Sequence, residues 1–201
     1  MRILVIGGTG FIGTVAWSPG FPAADSTRSW CPPVAMAAGG ICRSCPASRS
    51  RYDDVHDDAT LDRLLRGCDA AVNLVGILHG KAGKPYGSDF ARAHVTLPQR
   101  VAQACRRQGV RRLLHMSALG ADSAGASMYQ RSKGDGEAAV RKELEGWRDG
   151  GWTIFRPSVV FGPDDNFTNL FARLARWLPV LPLAGAHRAC SRSMWATWWP
   201  R

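Results

Sequence analysis

The sequence predicts an α/β chain built on a Rossmann-type, doubly wound parallel sheet. Three observations carry that prediction. The apolar run Ile3-Leu4-Val5-Ile6 leads straight into the glycine-spaced loop Gly7-x-x-Gly10-x-x-Gly13. Short apolar runs and amphipathic stretches then alternate along the chain, as strands and crossover helices do. The runs themselves lack polar alternation, which suits strands buried on both faces.

The elements follow in order. Ile3–Ile6 is the first strand, and the glycine loop should open into a helix. Asp54-Val55-His56-Asp57-Asp58 closes a strand-like position and caps a helix carrying Leu61, Leu64 and Leu65. Ala70–Gly76 reads as a buried strand ending on glycine. A helix follows with Phe90, Leu97, Val101 and Ala104 on one face, a kink expected at Pro98 and a stop at Gly109. Leu113–Ser117 is a strand, Tyr129–Leu144 a helix and Trp152–Phe155 a strand. Phe167, Leu170, Phe171, Leu174 and Trp177 form a last amphipathic helix. One Rossmann-type domain over 1–186 is expected.

Two segments break this grammar. After Gly13 come Pro19, Gly20 and Pro22 instead of a helix. Residues 14–52 and 187–201 hold four of the six cysteines, five of the eight tryptophans and six of the twelve prolines. Neither shows a 3.6 or 2 periodicity. A one-base shift of the reading frame lets WCPPVAMAAGGICRSCPASRS be read as VPTRRYGRRRHLPVLPGVEV, and the same shift turns ACSRSMWATWWP into VLQVHVGDVVA. Residues 14–52 are therefore read as an aberrant, frameshifted segment that disrupts the first helix and second strand. The tail 187–201 is read likewise, with the C-terminal substrate region truncated.

Bulk properties narrow the function. The formal charge is +10, but removing the two aberrant segments leaves a net of about +4, so no nucleic-acid partner is expected. No apolar run approaches the ~20 residues of a membrane span. The N-terminus lacks the basic flank of a secretory signal, and the free cysteines suit a reducing compartment. The expected location is cytoplasmic, at most peripheral on the inner face of a membrane. Cys42-Arg43-Ser44-Cys45 has metal-ligand spacing but no second pair, so no metal is expected.

The chemistry-bearing residues are few. Gly7 permits the tight turn, Gly10 lets backbone approach a phosphate, and Gly13 allows close packing. Tyr129-Gln130-Arg131-Ser132-Lys133 sets a phenol and an ammonium four residues apart on one helical face. A neighbouring cation should lower the phenol's pKa, fitting it for acid–base work, while the lysine also holds a ribose. Ser117, at a strand end, offers a hydroxyl to a substrate oxygen.

GGTGFIG, Asp54-Val55, AVNLVGIL, MSALGAD, YQRSK and FRPSVVFGPDDNF together resemble the atypical or extended short-chain dehydrogenase/reductase superfamily. Within it they are most similar to the NAD(P)H-binding accessory subunit of respiratory complex I and its bacterial relatives. The resemblance covers residues 1–13 and about 53–187. It implies that Gly7, Gly10, Phe11, Ile12 and Gly13 contact the pyrophosphate, with Thr9 in the same cofactor-binding loop. It places Asp54 and Val55 at the adenine, and Leu74, Val75 and Gly76 along the adenosine side. Tyr129 and Lys133 would hold the nicotinamide ribose, with Arg156-Pro157-Ser158-Val159 passing over the nicotinamide end. Tyr129, Lys133 and Ser117 are the implied catalytic set. His94 stands where many extended members carry Asn.

The arginines of the shifted reading would suit a 2′-phosphate, hence NADP(H) rather than NAD(H). In the complex I relatives the nucleotide is structural rather than turned over. The expected function is thus a non-catalytic NAD(P)H-binding subunit or assembly factor of an NADH:quinone oxidoreductase. Its partners would be the dinucleotide and either complex I subunits or a quinone-like small molecule. The alternatives are an active NAD(P)H-dependent reductase or nucleotide-sugar epimerase/dehydratase, and a non-functional product of a frameshifted gene.

Overall fold

The computed structural model describes residues 2–8, 10–16, 34–35, 54–162, 165, 169 and 192–194. The chain divides into two units, Met1–Arg156 and Pro157–Arg201. The expected boundary at 186 lies outside the described residues.

The first unit is built on a five-stranded parallel sheet. Its strands are β1 (Ile3–Ile6), β2 (Val34–Ala35), β3 (Ala70–Asn73), β4 (Arg112–Met116) and β5 (Gly151–Phe155), in the order β2-β1-β3-β4-β5. The helices are α1 (Phe11–Ala16), α2 (Asp58–Leu65), α3 (Ser88–Phe90), α4 (Leu97–Arg107) and α5 (Met128–Leu144). The order turns back between β1 and β3, the switch point where such sheets bind ligands at the carboxyl ends of their strands.

The helix and strand read as disrupted are present in short form, α1 with six residues and β2 with two. Val34 and Ala35 pair parallel to Val5 and Ile6. The free edge of β1 supplies the backbone donors and acceptors, and two apolar residues suffice to use them. The rest of 17–52 lies outside the described residues. So does the helix expected around Phe167–Trp177, apart from Asn169.

Register explains where the core sits. Leu4 pairs with Ala71, and Ala71 with Leu113, so these three share one sheet face. They pack with Leu61 and Leu65 of α2, Leu97, Val101 and Cys105 of α4, and Val140 and Leu144 of α5. Each buried leucine contributes about 1.5–3 kcal/mol of transfer free energy.

Local signals set the helix ends. Asp57 Oδ2 accepts from the Thr60 amide at 2.8 Å, capping α2. Ser127 and Gln130 form a reciprocal capping box at the start of α5. Gly109, at φ +66°, ends the helical run as expected.

The chain accommodates Pro98 by changing the helix before it. The stretch Ala91–Thr96 before it is π-helical, with the Leu97 amide bonded to Arg92 O. Proline lacks the N–H that would reach His94 O four residues back, so a wider turn absorbs the missing bond. Gly136 of α5 lies on that carbonyl, where a Cβ would come within 1.9 Å of His94 O. Only glycine permits this helix approach.

The second unit contains β6 (Val159–Phe161), paired parallel with β7 (Arg192–Met194). Part of the 187–201 tail thus forms a strand despite its lack of alternation, because a three-residue ladder draws on backbone groups alone.

Candidate functional site

The next layers of the same sheet face are polar. Ile6 pairs with Asn73 and Asn73 with His115, and Ser117 follows two residues along β4's line. These groups lie at the carboxyl edge, where the loops after β1 and β3 meet.

The glycine loop fits a close backbone approach. Gly7 has φ +83°, and a Cβ there would meet Val75 Cγ2 and the Val75 amide at 3.0 Å. Gly13 lies so near Gly8 that a Cβ would come within 2.3 Å of its carbonyl oxygen. Phe11 and Ile12 open α1 and are half-buried. Thr9 lies outside the described residues. Val75 is in turn held by Asn73, whose Oδ1 accepts the Val75 amide at 3.2 Å. One residue on, a Cβ on Gly76 would sit 3.3 Å from Lys133 Nζ and 3.9 Å from His94 Nε2. The structure therefore joins Gly7, Leu74–Gly76 and Lys133 into one continuous strip.

Lys133 is 4% exposed. Its ammonium donates to Met116 O at 3.2 Å. Burial lowers its pKa to about 8, with the charge of Glu137 pulling the other way. Tyr129, one turn earlier, meets His94 edge-on at 5.5 Å. Burial pushes the phenol's pKa up, the reverse of the expected activation. Desolvation decides this result, since Lys133 supplies no offsetting shift.

His94 ties the strip to α5. Ile77 N–H donates to Nε2 at 3.0 Å, which requires a lone pair there. Nδ1 then carries the proton and donates to Ser132 Oγ at 2.8 Å, while the Ser132 hydroxyl donates to Tyr129 O at 2.9 Å. Burial and then the Lys133 charge lower the His94 pKa to about 3. His115 is held neutral by the same two causes, at about 4. Its Nδ1 accepts from Asn73 Nδ2 at 3.3 Å, and its buried Nε2 has no hydrogen-bond partner.

Ser117 does not sit as a free hydroxyl at the edge. It is buried, its amide bonds Phe155 O at 2.7 Å, and its Oγ makes no hydrogen bond of good geometry. It still lies close enough to Glu137 to help keep that carboxylate ionised. Glu137, 2% exposed, accepts from Arg156 Nε at 2.7 Å and Nη2 at 2.6 Å, and from Arg141 at 3.1 Å. Burial alone would raise its pKa, but the bonds from Arg156, the nearby Ser117 hydroxyl and the two guanidinium charges hold it below the usual carboxylate range.

Val55 is fully buried in the apolar core, so its side chain faces away from solvent. Asp54 is exposed, and its Oδ1 accepts the His56 amide at 2.9 Å. Pro157 and Val159 begin the second unit. Sequence reasoning missed Glu137, and it expected Arg156 over the nicotinamide end rather than on that carboxylate. The available signal was Glu137's place at i+4 from Lys133, on the face that also carries Tyr129.

Comparison with known proteins bears on this strip. Over 130 residues, 65% of this chain, it is 32% identical to mitochondrial NADH dehydrogenase (ubiquinone) 1 alpha subcomplex subunit 9 of Mus musculus, covering 32% of that protein. Over 133 residues it is 32% identical to a ceramide reductase of Caulobacter vibrioides, covering 38% of it. The chain thus spans about a third of the length of these relatives. In fold it resembles dTDP-glucose 4,6-dehydratase from Streptomyces venezuelae, solved with NAD bound. The TM-score is 0.69 at 24% identity, covering 88% of this chain and 62% of that one. Residues 3–178 match the family model of NAD dependent epimerases and dehydratases, and the chain belongs to that family.

Proposed function

We propose that the chain binds a nicotinamide dinucleotide as a non-catalytic subunit or assembly factor associated with an NADH:quinone oxidoreductase. The observation that carries this reading is the strip from Gly7 through Leu74–Gly76 to Lys133 at the carboxyl edge of the sheet. Gly7 would lie under the pyrophosphate and Lys133 would hold a ribose hydroxyl. The bound group would supply a redox-active nicotinamide. The mouse relative, named as a subunit of NADH dehydrogenase, supports docking on such a complex. No helix among the described residues is long and apolar enough to cross a membrane, which suits a peripheral position on the inner face.

Two features favour holding the nucleotide over turning it over. The Tyr129 phenol is held protonated by burial, and the Ser117 hydroxyl is buried against Glu137. A working reductase remains the second reading, supported by the ceramide reductase relative and by Tyr129 and Lys133 on one helix face. NADP(H) is the preferred cofactor in this proposal, through the arginine pair of the shifted reading.

Calorimetric titration of the chain and of a frame-restored protein with NADPH and NADH tests this. The restored protein should bind NADPH about ten- to a thousandfold more tightly, at ~1.4 kcal/mol per tenfold. Equal affinities would remove the role given to the restored length of the first helix and to the recovered arginines. Hydride exchange with deuterated cofactor over a panel of quinones, ceramide precursors and nucleotide sugars should show no turnover. Catalytic exchange with any of them would establish the reductase reading.

A further inference from the structure

We propose that Glu137, clamped by Arg156, is a positioning residue for Lys133. It pins α5 against the end of β5 so that the ammonium reaches Met116 O and Gly76, and it supplies the negative charge that keeps that ammonium ionised inside the fold. The inference rests on the reading of Lys133 as the ribose-holding residue.

The geometry is specific. Lys133 and Glu137 are one helical turn apart on α5, and both are almost fully buried. Burying a carboxylate is costly unless it is paired and fully hydrogen-bonded. Arg156, the residue after β5, meets both carboxylate oxygens with Nε and Nη2, a two-pronged pairing that fixes direction as well as charge. That pairing ties the turn of α5 that follows Lys133 to the end of β5.

Among the described residues, the groups facing Lys133 leave Glu137 as the counter-charge. On α5 they are Tyr129, held protonated by burial, and Glu137. From the π-helical stretch comes His94 and from β4 His115, both held neutral. From the loop after β3 comes Gly76, which carries no charge. Glu137 acts on Lys133 through space, since the carboxylate oxygens bond Arg156 and Arg141. Arg156 therefore has two opposed effects. It holds the carboxylate in place, and it cancels part of the field that the carboxylate projects onto Lys133.

That opposition gives the proposal its test. The chain has four lysines, Lys81, Lys84, Lys133 and Lys142, so Lys133 can be followed by 13C NMR of its Cε. Lys133→Arg supplies the assignment, and the full chain is titrated from pH 4 to 11 without nucleotide. Glu137→Gln should lower the Lys133 midpoint by about 1–3 units, the usual effect of removing a nearby opposite charge. Arg156→Gln should raise it, because the carboxylate is then less neutralised. Simple loosening would hydrate the amine and raise the midpoint in both variants, and that result, or no shift in either, overturns the proposal. If Glu137→Gln does not fold, Arg156→Gln and Arg156→Lys decide. The glutamine variant should raise the midpoint and the lysine variant should restore it, whereas equal rises overturn the proposal. NADPH titration of the unaltered chain separates the two readings. Absence of binding sinks the ribose-holding role, while shifts of opposite sign still identify the counter-charge.

Discussion

Two layers of the same sheet face, one residue pair apart, behave as different materials. In the lower layer Leu4, Ala71 and Leu113 lie side by side and pack on Val101, Val140 and Leu144. In the layer above, Asn73 and His115 take the same inward positions, with Lys133, His94 and Glu137 packed above them. Both layers are dry. The lower is held by contacts that no change of pH alters, and the upper holds His94, His115 and Lys133, whose pKa values burial lowers. The fold therefore stores its solution sensitivity where the nucleotide is proposed to bind.

The comparison breaks first at Leu113. Leu113→Ala removes a 1% exposed side chain from the lower layer and should cost about 2–5 kcal/mol of stability. That loss should be the same from pH 5 to pH 9, as followed by urea unfolding at several pH values. A loss that grows in acid would mean the two layers are not separable.

How much of this was legible follows the same division. The lower layer was readable because burying apolar groups leaves a periodicity, and Leu61, Leu64, Leu65, Leu97, Val101 and Ala104 all stand where that periodicity set them. The glycine loop was readable because its backbone conformation admits few other residues at Gly7. The upper layer was harder. His94 lies at i+4 from Phe90, on the apolar face, yet its partners Ile77 and Ser132 come from other elements. Glu137 and Arg156 are 19 residues apart on a helix and beyond a strand, so only the register of β5 against α5 unites them. The activation expected for Tyr129 failed because sequence spacing locates a cation but cannot weigh burial against it.

The upper layer should respond to acid. His94 and His115 are neutral in the fold, at about 3 and about 4, against 6.5 in the unfolded chain. Below pH 6.5 the unfolded chain binds protons that the folded chain refuses, so stability falls as pH falls toward those values. Between pH 7 and 5 the two histidines together should cost about 4 kcal/mol. His115→Leu should remove about half of that acid loss, read from the pH dependence of urea midpoints. Parallel curves for the parent and the variant would show that His115 is charged in the fold.

Lys133 sharpens the comparison from the alkaline side. Its pKa is lowered from 10.5 to about 8, so the folded chain gives up this proton before the unfolded chain does. Between those values the unfolded chain holds more protons, and the Lys133 contribution to stability rises with pH. Below about pH 8 the penalty for the buried ammonium is fully present, about 3 kcal/mol at 1.36 kcal/mol per unit. Lys133→Met should thus stabilise the chain most at pH 7 and progressively less toward pH 10.5. Glu137 limits the gain, because the variant leaves its carboxylate to Arg156 and Arg141 alone. The measurement is the difference in urea unfolding free energy between parent and variant across that range. A difference independent of pH would place Lys133 among the solvated lysines, and the strip from Gly7 to Lys133 would then end at Gly76.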